Sequence, residues 1–259
     1  MTEDQILLSH ARDLKMQCAD NSMITNTPFL DLRQKSLLLS LEKEQREYVN
    51  TIYFGGYAEA ERVVAVFIPS FFEFENAQHF FAENEQENPL SLIKIEKDRF
   101  SALSHRDYLG SLMGLGIKRE MFGDLLVNDS GCFVPCIKSV AAYITENLTS
   151  VGRGSVKASI VPFSEISAHE ESFAVIHESV ASLRLDNMIS TAFSLSRSMS
   201  VQAIEKGIVY INSVQILKPD YRVSEGEKLV LRGKGKAVFT EITGESRKGR
   251  LHVSFKRYK

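Results

Sequence analysis

Between Arg184 and Ser213 the chain reads RLDNMISTAFSLSRSMSVQAIEKGIVYINS, and no other stretch narrows the possible folds as much. Apolar Leu185, Met188, Ile189 and Ala192 recur at helical spacing, which predicts a helix over Arg184 to Phe193. A second helix is expected from Ser196, whose hydroxyl can accept an orphan backbone N–H, to Gly207, a residue that closes helices. Met199, Ala203 and Ile204 are its expected buried face. A strand from Ile208 to Ile211 follows, then a turn at Asn212-Ser213, the pair Lys218-Pro219, a turn from Ser224 to Glu227, and a strand from Lys228 to Arg232.

Charge is segregated along the chain. Residues 183–259 hold 15 Lys/Arg against 7 Asp/Glu, whereas residues 1–182 hold 16 against 26, so an overall charge of −2 hides a strongly basic tail. Arg184, Arg197, Lys206, Lys218, Arg232, Lys234 and Lys236 can form a surface that attracts phosphates. Ser196, Ser198, Asn212 and Ser213 sit at a helix start and a turn, where backbone N–H groups also favour phosphate.

In order and spacing, Arg184-Leu185-Asp186, Ser196-Arg197, Ala203, Gly207, Val209, Ile211-Asn212, Lys218-Pro219, Val223 and Gly226-Glu227 resemble the S4 (αL-like) RNA-binding fold. Ser213 stands where that pattern more often has Gly, and Glu227 where it more often has Asp. The first change makes a turn with positive φ less comfortable. The resemblance implies an S4 domain over 180–259 that recognises folded RNA by shape.

At 259 residues the chain has room for two or three domains, and the class expected is α+β. Residues 1–82 read as a mixed N-terminal α/β domain. Ile6, Leu7, Ala11, Leu14 and Cys18 fit one helical face, and Ser36 to Val49 reads as a helix whose Glu42, Lys43, Glu44, Arg46 and Glu47 form a solvated face. Gly55-Gly56 marks a turn or a close backbone approach, and Arg62 to Ile68 is a β-branched strand stopped by Pro69. Phe71, Phe72 and Phe74 suit core packing better than base stacking.

Residues 83–165 show strand, helix, strand, strand, helix, strand, the ferredoxin-like (RRM-like) order used by RNA-recognition modules. Pro162 to His169 reads as a connector. Glu171 to Ala181 is expected to be an amphipathic helix on Phe173, Ile176 and Val180. Lys236 to Ile242 and Arg250 to Tyr258 should be strands around a basic loop that holds Arg247 and Lys248, a further candidate RNA contact.

One run of the middle domain resembles two catalytic patterns and satisfies neither. His105-Arg106-Asp107 lacks the Asn of a kinase catalytic loop, since Leu112 stands there, and no Gly-rich nucleotide loop exists. The His-Arg-Leu-Asp of S4-bearing pseudouridine synthases would need a Leu between Arg106 and Asp107. With Leu109-Gly110, Gly114-Leu115-Gly116-Ile117-Lys118-Arg119 and Gly123-Asp124, the run is instead similar to the YlmH family of bacterial S4-domain proteins, across about residues 60 to 259. Arg106, Lys118 and Arg119 are candidate secondary phosphate contacts.

Chemistry has no visible seat. His169-Glu170-Glu171 and His177-Glu178 do not make a His-Glu-x-x-His zinc motif, and Cys132-x-x-x-Cys136 has no second ligand pair. No catalytic residue, metal or cofactor is expected. Three cysteines suggest a reducing compartment, no apolar run reaches 18 residues, and the N-terminus has no signal-peptide pattern, so a cytoplasmic protein without membrane insertion is expected.

The YlmH resemblance implies a non-enzymatic RNA-binding protein. Its partners would be the ribosome, through large-subunit rRNA and tRNA rather than DNA, in rescue of stalled translation, with a looser link to cell division. An RNA-modifying enzyme delivered by its S4 domain, or a scaffold of the division machinery, is the rival expectation.

Overall fold

The computed structural model describes residues 2–42, 49–72, 76–168 and 173–258. The expectations for Lys43, Glu44, Arg46 and Glu47, for Phe74 and for His169 to Glu171 lie outside them. Contacts divide the chain into two compact units, 1–169 and 170–259.

The first unit opens with helix α1 (Glu3–Asn21), which starts with a reciprocal capping box between Thr2 and Gln5. Strand β1 (Thr25–Asn26), helix α2 (Leu32–Glu42), strands β2 (Val49–Phe54) and β3 (Val64–Pro69) and helix α3 (Ala77–Glu83) follow. Val49 is therefore the first residue of a strand and not the end of a helix. The sheet runs β1-β3-β2, all antiparallel, with β3 central and buried throughout, as its run of Val, Ala, Phe and Ile requires. The Gly55-Gly56 pair allows close approach: a Cβ on Gly55 would come within 2.6 Å of the Arg62 carbonyl oxygen.

Next come β4 (Leu90–Lys97), α4 (His105–Gly114), β5 (Leu126–Asn128), β6 (Gly131–Ile137), α5 (Lys138–Asn147), β7 (Ser150–Val151) and β8 (Gly154–Val161). Their sheet runs β5-β6-β4-β8-β7 with every pair antiparallel. With the two-residue β7 set aside at the edge, the order β5-β6-β4-β8 is the ferredoxin-like arrangement. Tyr108 and Leu112 of α4 and Ala141 and Ile144 of α5 pack on Ile93, Ile95 and Val134 of the sheet. Burial of that order contributes roughly 2 kcal/mol per large side chain.

The second unit contains β9 (Phe173–Val180), α6 (Leu185–Ala192), α7 (Arg197–Glu205), β10 (Val209–Ile211), β11 (Val214–Gln215), β12 (Lys228–Leu231), β13 (Gly235–Glu245) and β14 (Leu251–Tyr258). The order of its sheet is β11-β10-β12-β13-β14-β9. Leu185, Met188, Ile189 and Ala192 of α6, with Ala203 and Ile204 of α7, bury against Val209, Leu229, Leu231, Phe239 and Phe255. Ser196 caps α7 by accepting the Met199 N–H at 3.2 Å, and Gly207 ends it at φ +68°. Asn212 and Ser213 form the two-residue β10–β11 turn with φ of 48° and 68°.

Two expectations are corrected here. The segment read as an amphipathic helix is β9, because eight consecutive residues pair with β14 and the ladder outweighs a helical spacing of three apolar residues. Met199 is 52% exposed, and the buried face of α7 is Ser200, Ala203 and Ile204.

Candidate nucleic-acid interface

A buried carboxylate organises the helix pair of the second unit. Asp186, in the first turn of α6, is 2% exposed, yet its oxygens meet two arginines whose side chains are 42% and 61% exposed. Arg184 donates from Nε to Oδ1 at 3.2 Å and from Nη2 to Oδ2 at 3.4 Å. Arg197 donates from Nε and Nη2 to Oδ2 at 3.0 and 2.9 Å. Burial pushes the Asp186 carboxyl up, but the hydrogen bonds and charges of the two arginines outweigh it and hold the group below the ordinary carboxylate range.

The consequence is presentation. A guanidinium has five N–H donors in a fixed plane, and each arginine spends Nε and Nη2 on the carboxylate. The carboxylate takes neither Nη1. Holding both planes in advance lowers the ordering cost of binding.

Backbone contacts extend this spot into a strip. The Asp186 N–H donates to the Pro219 carbonyl at 3.1 Å, which brings Lys218 beside the start of α6, and Arg184 forms a β-bridge with Arg222. At the other end of α7, Gly207 packs on Leu217 and its carbonyl accepts from Gln215 Nε2 at 2.7 Å, so Lys206 lies along the same segment. The Arg232 N–H reaches the Ile208 carbonyl at 2.9 Å. These contacts bring together the segments that carry Arg184, Ser196, Arg197, Ser198, Lys206, Lys218 and Arg232, and all of these residues but the partly covered Arg184 are exposed. Sequence reasoning missed exposed Arg222, whose bridge to Arg184 no spacing rule announces. It also missed the role of Asp186, for which an acid on an otherwise apolar helix face was the signal.

Other predicted residues lie elsewhere. Asn212 and Ser213 occupy the far end of β10, where Asn212 Oδ1 accepts the Lys228 N–H at 2.9 Å. Lys234 is exposed in the β12–β13 turn, and Arg247 and Lys248 are exposed at the tip of the β13–β14 hairpin. Lys236 does not join the exposed strip: it is 9% exposed, with its ammonium 4.7 Å from the Tyr258 ring centroid.

In the first unit, Arg106 and Lys118 are exposed. Arg119 turns inward instead. Its Nη1 donates to the carbonyls of Phe122 and Gly123 at 2.6 and 3.0 Å, and burial, with the neighbouring charge of Arg62, pulls its pKa down to about 10. Asp124 accepts the Tyr57 hydroxyl at 2.9 Å and the Glu61 N–H at 2.8 Å, while Arg62 reaches the Phe29 carbonyl at 3.2 Å. The Arg119-to-Asp124 motif therefore staples the ferredoxin-like sheet to the N-terminal segment. Among the described residues no group of three His, Cys, Asp or Glu converges as a metal site, and no helix is long and apolar enough to cross a membrane.

Comparison with known families finds a matching model in each unit. Residues 83–165 match a family model described as "Putative RNA-binding domain in YlmH", and residues 183–229 match the S4 domain. The two matches together give the domain content of YlmH-type S4 proteins. It is 28% identical over 258 residues to the Bacillus subtilis (strain 168) protein named "Ribosome-associated protein quality control protein P2", covering 99% of this chain and 96% of that one. A solved structure, "Cell division protein ylmH from Streptococcus pneumoniae", superposes with a TM-score of 0.51 at 23% identity, over 64% of this chain and 94% of the other, and so shares the fold. The chain is an RNA-binding S4 protein.

Proposed function

We propose that this chain is a non-enzymatic, cytoplasmic RNA-binding factor of the large ribosomal subunit, contacting rRNA and tRNA in the quality control of stalled translation. The observation that carries the reading is the Asp186 clamp, which anchors two partly exposed arginines, Arg184 and Arg197, on one buried carboxylate. Near-complete coverage of a Bacillus subtilis protein named for ribosome-associated quality control supports the biological setting. Arg184, Arg197, Lys206, Lys218 and Arg232 neutralise phosphates, and Ser198 adds a hydrogen bond beside the capped start of α7. Five neutralised phosphates give a log–log salt slope of about −3.5 to −4.5.

Co-sedimentation with ribosomal subunits tests this, beside a Lys206→Glu, Lys218→Glu variant that reverses charge on the strip and leaves the Asp186 clamp intact. The expected result is native protein in the large-subunit fraction and a folded variant in the supernatant. Equal binding by both would move the contact off the helix pair. No binding by either would overturn the ribosomal reading and favour a scaffold of the division machinery.

A further inference from the structure

We infer that the loop joining β4 to α4 is a second RNA contact, a platform on which one unpaired base stacks against Phe100. The inference rests on the RNA-binding reading above and gives the first unit a part in it. Phe100 is 92% exposed, the most exposed of the large hydrophobic side chains described. A phenylalanine left in water on a mobile loop would need no explanation, but this loop is held by its own hydrogen bonds. Asp98 Oδ1 accepts the Phe100 N–H at 2.8 Å, Asp98 Oδ2 accepts the Ser101 hydroxyl at 2.6 Å, and Lys97 Nζ donates to the Ser101 carbonyl at 2.6 Å. Past the loop, Ser104 and Asp107 close a capping box that starts α4. The ring is thus presented by a fixed turn.

Basic residues occupy the same end of the domain. Arg99 precedes the ring in sequence, and His105 and Arg106 occupy the exposed first turn of α4. The β7–β8 turn comes to the same end of the domain: Gly154 packs on Ser101 and Leu103, Gly152 lies against Asp107, and the Gly152 N–H donates to Ser111 Oγ at 3.3 Å. Exposed Arg153 stands between those two glycines. Of the nearby acids, exposed Asp129 lines a groove with Ala102 and Ser104, and three others have local partners. Asp98 and Asp107 accept from loop N–H and O–H groups, and Glu96 faces Lys157 across the β4–β8 ladder.

An exposed aromatic face at an arginine-bearing end of the domain suits a nucleobase between two phosphates, because every base offers a π-face and stacking tolerates any sequence. A protein partner would call for an apolar patch around Phe100, whereas its neighbours Arg99 and Ser101 are polar and Ala102 is small. A duplex would keep its bases stacked on each other, so the ligand is single-stranded RNA or a loop with a base turned out.

The chain contains no tryptophan, which makes a direct test available. In full-length Phe100→Trp the sole indole reports on stacking. Single-stranded RNA is expected to quench its emission, a duplex of the same length is not, and Phe100→Ala is expected to bind the single strand about tenfold more weakly. RNA binding with unchanged indole emission in Phe100→Trp and an unaffected Phe100→Ala variant would overturn the platform while leaving the helix-pair interface standing. Loss of ribosome co-sedimentation in Phe100→Ala with intact affinity for single-stranded RNA would assign the ring to a ribosomal protein, and so also overturn it. Failure of the native chain to bind any RNA would overturn both readings together.

Discussion

Two pairs of arginines, each with one aspartate, occupy the two units, and they are built inside out relative to each other. Around Asp186 the acid is buried and the arginines face water. Around Asp124 it is Arg62 and Arg119 whose charged form is disfavoured by burial, with their donors spent on the carbonyls of Phe29, Phe122 and Gly123. Which partner is buried decides what the cluster does. A sunken carboxylate holds two guanidinium groups at the surface, the display that the proposed interface uses. Sunken guanidinium groups serve the backbone and become part of the scaffold.

The sharpest way to break this contrast is Arg119→Met. It removes two charge-assisted hydrogen bonds and leaves partly buried carbonyls unsatisfied, so the first unit should lose about 2–3 kcal/mol of stability. Thermal denaturation would show a lowered transition. RNA affinity, measured where the variant is still folded, should be unchanged. A variant of native stability with weakened RNA binding would place Arg119 on the display side.

Arg197→Ala is the mirror experiment. Its own side chain is 61% exposed, but the carboxylate it leaves is buried and keeps only Arg184, so stability should fall by about 1–2 kcal/mol. RNA affinity should fall about tenfold, and the magnitude of the salt slope should drop by about one. Loss of stability without loss of affinity would make the Asp186 clamp another staple.

A pH experiment sharpens the same point from the side of the acid. Asp186 titrates below its unfolded value, so its carboxylate favours the folded state at neutral pH. That contribution is fully present above the unfolded pKa and is lost as pH falls through the folded one. Asp186→Asn should therefore show a flatter decline in stability on the acid limb of a pH series monitored on the second unit. An acid limb as steep as the native one would mean that other carboxylates set it.

What could be read from sequence follows from where each structural cause lies. Ser196 as a cap, Gly207 as a helix end and the spacing of Leu185, Met188, Ile189 and Ala192 act within one or two turns, so they were legible. The ferredoxin-like order was legible too, because strands and helices alternate with clear turn residues at Asn128 to Gly131. Strand β9 was not, since its conformation is decided by β14, some 75 residues away. Arg119 and Lys236 misled for a related reason. A cation's sequence neighbours do not tell whether its head reaches water, a carbonyl at Phe122 or the ring of Tyr258. Phe100 was invisible because an exposed aromatic and a core aromatic look alike in sequence.

The smallest effect concerns Ser213, which stands where S4 domains more often carry glycine. Its φ of 68° is a conformation a side chain resists, at a cost of about 1 kcal/mol. Ser213→Gly relieves that strain but gives the unfolded chain more freedom, so the net gain should be only about 0.5 kcal/mol. The sign of the change in RNA affinity then carries the information. If the Ser213 hydroxyl takes part in the interface, the more stable variant binds RNA less tightly, and the display extends down β10 to its far end. If affinity is unchanged, the serine is a tolerated strain at a turn whose other residue, Asn212, is already fixed by Lys228. The display then ends at the strip from Arg197 to Arg232, within reach of the clamped arginines.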